Sequence, residues 1–288
     1  MTDVILRGIA REGRVRFFVA KTTELVERAR KIHDTYPAAS AALGRTLSIT
    51  AIMATNLKND KDKLVVEIRG DGEIGYVLAD ARRNGVVRGL VANPHAHKVN
   101  ETNGKLDVGG IVGQGSLSVT YKHEDVTTFS SQVELQTGEI AEDFAFYYAQ
   151  SEQIPSALSV GVLVNEDLSI KSAGAILIQI LPSATEEDIE VIESLLSKLP
   201  PVSSLMVNKE AQEVAESLFE DGEVLDSTAV NYTCSCSEDQ MLSVLATLKS
   251  EELRELIELD NGAELSCQYC EKTYHFDAAD LQKLIDAR

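Results

Sequence analysis

Tryptophan is absent from this chain, and aromatic residues of all kinds make up 5 % of its 288 positions. A core built here is therefore mainly aliphatic, drawn from the 44 % of residues that are hydrophobic. Basic residues are also scarce: 27 Lys and Arg face 46 Asp and Glu, a formal net charge of −19 and a pI near 4.7. That surplus repels phosphate backbones and excludes nucleic-acid binding through a basic face. Long apolar runs are missing too. The best candidate, residues 173–181, contains Gln179 and falls well short of the roughly 18 apolar residues that a membrane span needs. The start, Met1-Thr2-Asp3-Val4, has no apolar signal region and is soon interrupted by Arg7, Arg11 and Glu12, so a cytoplasmic protein is expected.

Recognisable catalytic motifs are lacking as well. Gly113-Gln114-Gly115-Ser116 has neither the lysine of a phosphate-binding loop nor the third glycine of a dinucleotide fingerprint, and it is not a nucleophile elbow. It reads as a bend beside a strand. Glu139, Glu142 and Asp143 crowd one helical stretch, where carboxylates ordinarily complement the helix dipole. His95 and His97 have no third ligand nearby and belong to a loop; His33 and His123 are isolated. No catalytic set assembles, and the protein is not expected to be an enzyme.

The first 233 residues contain no cysteine. All four lie in the last quarter, as Cys234-Ser235-Cys236 and Cys267-Gln268-Tyr269-Cys270, with thirty residues between the pairs. Two close pairs separated by a loop are the usual way to surround one tetrahedral zinc with thiolates. The single residue inside the first pair is unusual but workable, because side chains at i and i+2 of an extended segment point the same way. A disulfide closed within that pair would be strained, and strained disulfides are the readily reduced ones. In a reducing cytosol such pairs indicate metal or redox chemistry rather than structural cross-links. A zinc site that doubles as a redox switch and a purely structural zinc both fit the spacing. His275 follows Cys270 by five residues, but four thiolates already complete the tetrahedron.

The hydrophobic pattern predicts an α+β fold with a mostly antiparallel sheet up to about residue 182. Strands flank Arg11-Glu12-Gly13. A helix follows Thr22 or Thr23, and an Ala-rich buried helix starts at Pro37. Strands are expected at residues 64–68, 74–79, 86–91, 160–164 and 173–180, and a helix at 139–151. Residues 183–230 read as a helical linker with little core of its own. Its first helix opens on a capping box, either Ser183 with Glu186 or Thr185 with Asp188, and ends at Pro200-Pro201; its second spans residues 208–219. The tail, 231–288, reads as two helices, a hairpin with Cys267 and Cys270 at its tip, and a last helix starting at Asp277 or Asp280. A segment this small depends on metal for much of its folding energy.

The residues now in view resemble those of the thirty-three-kilodalton chaperonin family over essentially the full length. In the tail the resemblance rests on the two cysteine pairs, Glu251-Glu252-Leu253 between them, and Tyr274-His275-Phe276 after them. In the body it rests on Ala41-Ala42-Leu43-Gly44-Arg45, Gly70-Asp71-Gly72, Leu106-Asp107-Val108-Gly109, residues 137–143 and Ile178-Gln179-Ile180-Leu181-Pro182. Gln268 and Tyr269 fill slots often taken by His and Phe, which are not ligands. The resemblance implies three parts: an α+β substrate and dimerisation domain at 1–182, a helical linker at 183–230, and a zinc-binding redox-switch module at 231–288. It further implies an ATP-independent holdase. One zinc per reduced chain is expected on Cys234, Cys236, Cys267 and Cys270. Oxidation is expected to form the disulfides Cys234–Cys236 and Cys267–Cys270, release zinc and expose apolar surface to unfolded clients, with a homodimer as the active form. A constitutive zinc-ribbon adaptor is the alternative. An oxidoreductase using Cys267 and Cys270 lacks the strand-to-helix setting of such motifs.

Overall fold

A computed structural model describes residues 2–288; Met1 lies outside the described residues. The chain forms two compact units, one running through Thr233 and the other Cys234–Arg288. The first begins with the hairpin β1 (Val4–Ala10) and β2 (Val15–Lys21), then helices α1 (Thr23–His33) and α2 (Pro37–Ala54). Strands β3 (Asp62–Gly70), β4 (Tyr76–Arg82) and β5 (Val86–Val91) follow, then α3 (Val108–Val112), β6 (Gly115–His123) and β7 (Val126–Glu134). Helix α4 (Ala141–Tyr147) continues into a π-turn at Tyr148–Glu152 and leads to β8 (Ser156–Val164) and β9 (Ile170–Ile180). The unit ends with α5 (Glu186–Lys198), α6 (Val202–Asn208), α7 (Ala211–Leu218), β10 (Glu223–Ala229) and β11 (Asn231–Tyr232).

The expected α+β class is borne out. One sheet has the order β10-β1-β2-β9-β8, the other β11-β5-β4-β3-β6-β7. All pairings are antiparallel except β11 with β5. The period-2 geometry of a strand sends neighbours to opposite faces, and in the first sheet both faces are apolar. Phe17, Val19, Ile176 and Ile178 enter one core, while Phe18, Ala20, Ala175 and Leu177 enter the other. The larger core is filled by α2, in which every residue except Pro37 and Arg45 is buried. Its buried hydroxyls stay satisfied by bonding back one turn: Thr46 to Ala42 O, Ser48 to Gly44 O and Thr50 to Thr46 O.

Several of the motifs behind the resemblance turn out to meet in one network. Arg45 donates to the Glu139 carboxylate at 2.7 Å and to its carbonyl at 3.0 Å, and Glu139 in turn accepts the Gly109 N–H at 3.0 Å. Asp143 is not solvated at a helix start, as its position suggested. It is fully buried and accepts the N–H groups of Gln136, Thr137, Gly138 and Ile140. A side chain at Gly70 would put its Cβ 1.9 Å from the Val112 carbonyl, so only glycine permits that approach.

The segment after Pro182 differs from its sequence reading in two ways. The stretch expected to form one helix at 208–219 contains the end of α6 and a separate α7, because Lys209 and Glu210 are extended between them. Residues 223–229 form a strand, β10, paired antiparallel with β1. Its mostly polar composition hides it, since an edge strand with exposed side chains carries little hydrophobic signal. The segment also has a core partner. Ile192, Val202, Met206, Val214, Leu218 and Phe219 pack on the second face of the first sheet. At about 1.5–3 kcal/mol for each fully buried large side chain, this docking outweighs the weak intrinsic stability of short helices. Asp188 completes both the predicted capping box and an ion cluster. It accepts from Thr185 N at 2.9 Å and from Nε of Arg11 and of Arg14 at 2.7 Å each.

Helix α1 takes its cap from outside itself. Thr22 makes no side-chain cap, and the Asp3 carboxylate instead accepts the Leu25 N–H at 2.6 Å. Burial pushes the Asp3 carboxyl up to about 6, against the pull of the Leu25 and Glu24 N–H groups. Its folded value thus lies above its unfolded one. The stability this residue contributes is complete below about pH 4 and is lost as pH rises through about 6. The loss should amount to roughly 2–3 kcal/mol by pH 7.5. Urea unfolding at acid and neutral pH should show Asp3→Asn escaping that part of the decline seen in the parent protein.

Candidate metal centre

The second unit is built from α8 (Glu238–Leu245), α9 (Ser250–Asp260), the hairpin β12 (Gly262–Ser266) and β13 (Thr273–Asp277), and α10 (Ala278–Asp286). This is the order anticipated from the sequence, with Asp277 capping α10 through the Asp280 N–H at 2.9 Å. Asn261 takes the left-handed conformation that ends α9 and starts the hairpin. The unit has its own small core of Leu245, Leu253, Tyr274, Phe276 and Leu281.

Cys267 and Cys270 sit on the tight turn between β12 and β13. The Cys267 N–H donates to Lys272 O at 3.0 Å, and its carbonyl accepts from Cys270 N at 3.3 Å and Glu271 N at 2.8 Å. Cys234 and Cys236 lie on the irregular segment before α8, whose first turn is capped by Ser237. The helices α8 and α9 span the thirty residues between the pairs and return the chain to its start.

All four sulfurs lie within 4.8 Å of one another. Cys234 and Cys267 sulfurs are 3.7 Å apart, those of Cys236 and Cys270 3.4 Å. None of the four is in a disulfide. A tetrahedron with metal–sulfur bonds of about 2.3 Å has edges of about 3.8 Å. The separations therefore suit one tetrahedral ion, and a soft four-sulfur donor set suits zinc. His275 is not part of the cluster; it faces Glu264 on the exposed side of the hairpin at 3.1 Å.

The thiols do not ionise independently. Burial raises the proton affinity of Cys236, but hydrogen bonds from Tyr274 and the neighbouring thiols outweigh it and hold the group at about 7. Burial pushes Cys267 up, and it drives Cys270 to about 12 in spite of the Lys272 N–H. Once one sulfur carries charge, a second charge at under 4 Å is disfavoured.

Spacing alone did not reveal one participant. The Tyr274 hydroxyl lies 3.2 Å from the Cys236 sulfur and 3.0 Å from its carbonyl oxygen. The signal available in the sequence was the alternation of β13, which turns Tyr274 and Phe276 inward and Thr273 and His275 outward. The Lys272 ammonium stands 4.5 Å from the centre of the Tyr274 ring.

An α+β body and a small helix-hairpin unit carrying a closed four-thiol cluster define the class: proteins with a C-terminal metal-type thiolate module. The chain belongs to the Hsp33 protein family, whose sequence model matches residues 3–277. It is similar to the 33 kDa chaperonin of Limosilactobacillus fermentum, at 40 % identity over 99 % of both chains. The 33 kDa chaperonin of Geobacillus kaustophilus is 41 % identical, over 99 % of this chain and 98 % of its own length. Among solved structures, the 33 kDa chaperonin (heat shock protein 33 homolog) of Thermotoga maritima superposes with a TM-score of 0.92 at 35 % identity. That match covers 100 % of this chain and 99 % of the other.

Because the sulfurs must lose protons to bind a cation, metal uptake by the reduced, metal-free protein should release protons and strengthen with rising pH. Calorimetry with zinc in buffers of differing ionisation enthalpy should show this. Cys267→Ser removes the most buried ligand, and it should both abolish tight zinc binding and unfold residues 234–288, seen as lost protection in hydrogen exchange.

Proposed function

We propose that this protein is a redox-regulated, ATP-independent holdase whose switch is the four-cysteine cluster. The convergence of all four sulfurs within 4.8 Å is the observation that carries the reading. Cys234, Cys236, Cys267 and Cys270 would hold one zinc in the reduced state. Bound there, zinc supplies the positive charge that lets four thiolates share the site, and roughly 10–16 kcal/mol toward folding the unit, by analogy with zinc fingers. That exceeds the whole stability of most domains, about 5–15 kcal/mol.

The chain's own chemistry follows from its thiolates. One thiolate attacks an oxygen of hydrogen peroxide, the O–O bond breaks, and the departing hydroxide takes up a proton to become water. The sulfenic acid so formed is attacked by a second thiolate, which closes the S–S bond and displaces a second hydroxide, and this too takes up a proton from solvent to become water. Two sulfurs have then lost two electrons, and peroxide has become two waters. Disulfide sulfurs are poor ligands, so oxidised residues 231–288 lose their main source of folding energy. We assign the bridges to Cys234–Cys236 and Cys267–Cys270, since short loops close at low entropic cost once the unit opens. In the folded unit Cys234 lies 3.7 Å from Cys267 and Cys236 lies 3.4 Å from Cys270, contacts that cross between the pairs, so peptide mapping after peroxide is a stringent check. Predominant Cys234–Cys267 or Cys236–Cys270 linkage would show that oxidation is completed before opening.

In this reading residues 1–182 form the substrate and dimerisation domain, residues 183–230 the linker, and residues 231–288 the switch of a cytoplasmic homodimer. Among the described residues no helix is long and apolar enough to cross a membrane. Unfolded proteins are the clients. The apolar faces of α5 to α7 and the sheet surface beneath them become available when the linker leaves. The competing assignment is a zinc-binding adaptor that works without oxidation.

Zinc content and suppression of client aggregation, measured before and after peroxide, separate the two. A holdase switch loses zinc and gains activity together. Linker release can be tested apart from oxidation. Leu195→Asp and Ile192→Asp each place a charge in the packed face of α5, at a cost of several kcal/mol for the fully buried Ile192. Both variants should suppress aggregation while reduced and zinc-bound, Ile192→Asp more strongly. A variant with a loosened linker by hydrogen exchange that stays inactive until oxidised would place the client surface elsewhere.

A further inference from the structure

We propose that the Tyr274 hydroxyl is a positioning group that restrains reaction of the Cys236 sulfur with peroxide. The inference rests on the four-thiolate reading above and adds to it a residue outside the ligand set. The Cys267 and Cys270 sulfurs receive N–H donors from Tyr269, Cys270 and Lys272, which belong to their own turn. Those donors travel with the sulfurs they serve. Cys236 instead receives an O–H donor from β13, thirty-eight residues away in the chain.

The geometry allows one proton to serve two acceptors, the Cys236 sulfur at 3.2 Å and the Cys236 carbonyl at 3.0 Å. When the sulfur carries negative charge it is the stronger acceptor, and it draws the larger share of the donor. The hydroxyl then withdraws electron density from the lone pair that must attack the O–O bond. That stabilises the thiolate more than the transition state, in which the charge is passing to the departing hydroxide. Outer groups that hydrogen-bond to metal ligands commonly tune them in this way. The tyrosine is well placed to hold its aim. Its ring is buried in the core of the second unit, and the Lys272 ammonium over the ring face polarises it.

The restraint on Cys236 is therefore conditional on the hairpin staying in place. Movement of β13 away from the Cys234–Cys236 segment removes the donor without touching either cysteine. The covalent step is the one already written: the Cys236 thiolate attacks peroxide, and Cys234 closes the S–S bond.

The test uses the full-length, reduced, zinc-loaded protein and Tyr274→Phe, which keeps the ring and removes the proton. Peroxide is added, samples are quenched by alkylation, and modification at each cysteine is read by mass spectrometry. If about half of a charge-assisted hydrogen bond is lost on reaching the transition state, Cys236 should react about fivefold faster in the variant. Cys267 and Cys270 should be unchanged. An unchanged Cys236, or an equal rise at all four sulfurs, would overturn the proposal; the latter result would mean that the tyrosine only holds the unit together. Ring-fluorinated tyrosine incorporated at position 274 is a stronger donor and should slow Cys236, an arm that does not depend on the phenylalanine variant folding. Zinc content of the parent protein and its mapped disulfides, taken from the same samples, report on the four-thiolate reading separately. A parent protein without zinc would end that reading and leave the Cys236 rate ratio as the measure of the tyrosine.

Discussion

Four sulfurs within 4.8 Å cannot all be negative unless a cation sits among them, and the second unit depends on that electrostatic fact. Left to themselves they include one readily ionised thiol, Cys236, beside Cys267 and Cys270, whose proton affinity burial raises. A divalent ion placed among them would remove the conflict and would tie the chain before α8 to the hairpin tip. With a core of only a few buried side chains, the fold has little else to draw on. Four thiolates would carry more negative charge than one divalent ion cancels, and the proposed reactivity of these sulfurs rests on that excess.

The first unit has a sheet with two apolar faces and a separate cover on each. A sheet apolar on both faces ordinarily sits between permanent layers. Here one face of β1, β2 and β9 is covered by α2, the most completely buried helix, and the other by α5 to α7. The second cover has a buried apolar contact but a rim of ions. Asp188 binds Arg11 and Arg14, Lys21 binds Glu210, and Arg7 binds Asp226. Of these only Arg7–Asp226 is exposed on both sides and contributes little, whereas the Asp188 carboxylate and the Lys21 ammonium are buried and would be costly to leave unpaired.

Much of this was legible in the chain. The cysteine spacing located the cluster and even its interposed helices, because ligand geometry constrains spacing tightly. The alternating and helical periods found β1, β2, α1, α2, β5 and α5, whose burial is strong and one-sided or complete. What escaped was decided by partners distant in sequence. Strand β10 is polar and gains its identity from β1, more than 200 residues earlier. Asp143 looked like a helix-start carboxylate until its four N–H donors were in place, and Tyr274 carried no sign of Cys236. The break between α6 and α7 is a local backbone choice at Lys209 and Glu210 that no apolar period records.

Strands β10 and β11 occupy edge positions, one on each sheet, and they are consecutive in the chain. Strand β11 is two residues long, and the Thr233 N–H after it bonds to Val87 O, immediately before Cys234. The two strands contributed by residues 223–232 are thus each outermost in their sheets. Strand β10 borders only β1, and β11 only β5, so neither is held between two strands. Apart from them the sheets are β1-β2-β9-β8 and β5-β4-β3-β6-β7, each continuous with no strand missing from its interior. The hydrogen bonds that the interior strands make to one another therefore involve neither β10 nor β11, so both sheets are complete ladders without the residues that lead into the thiol cluster.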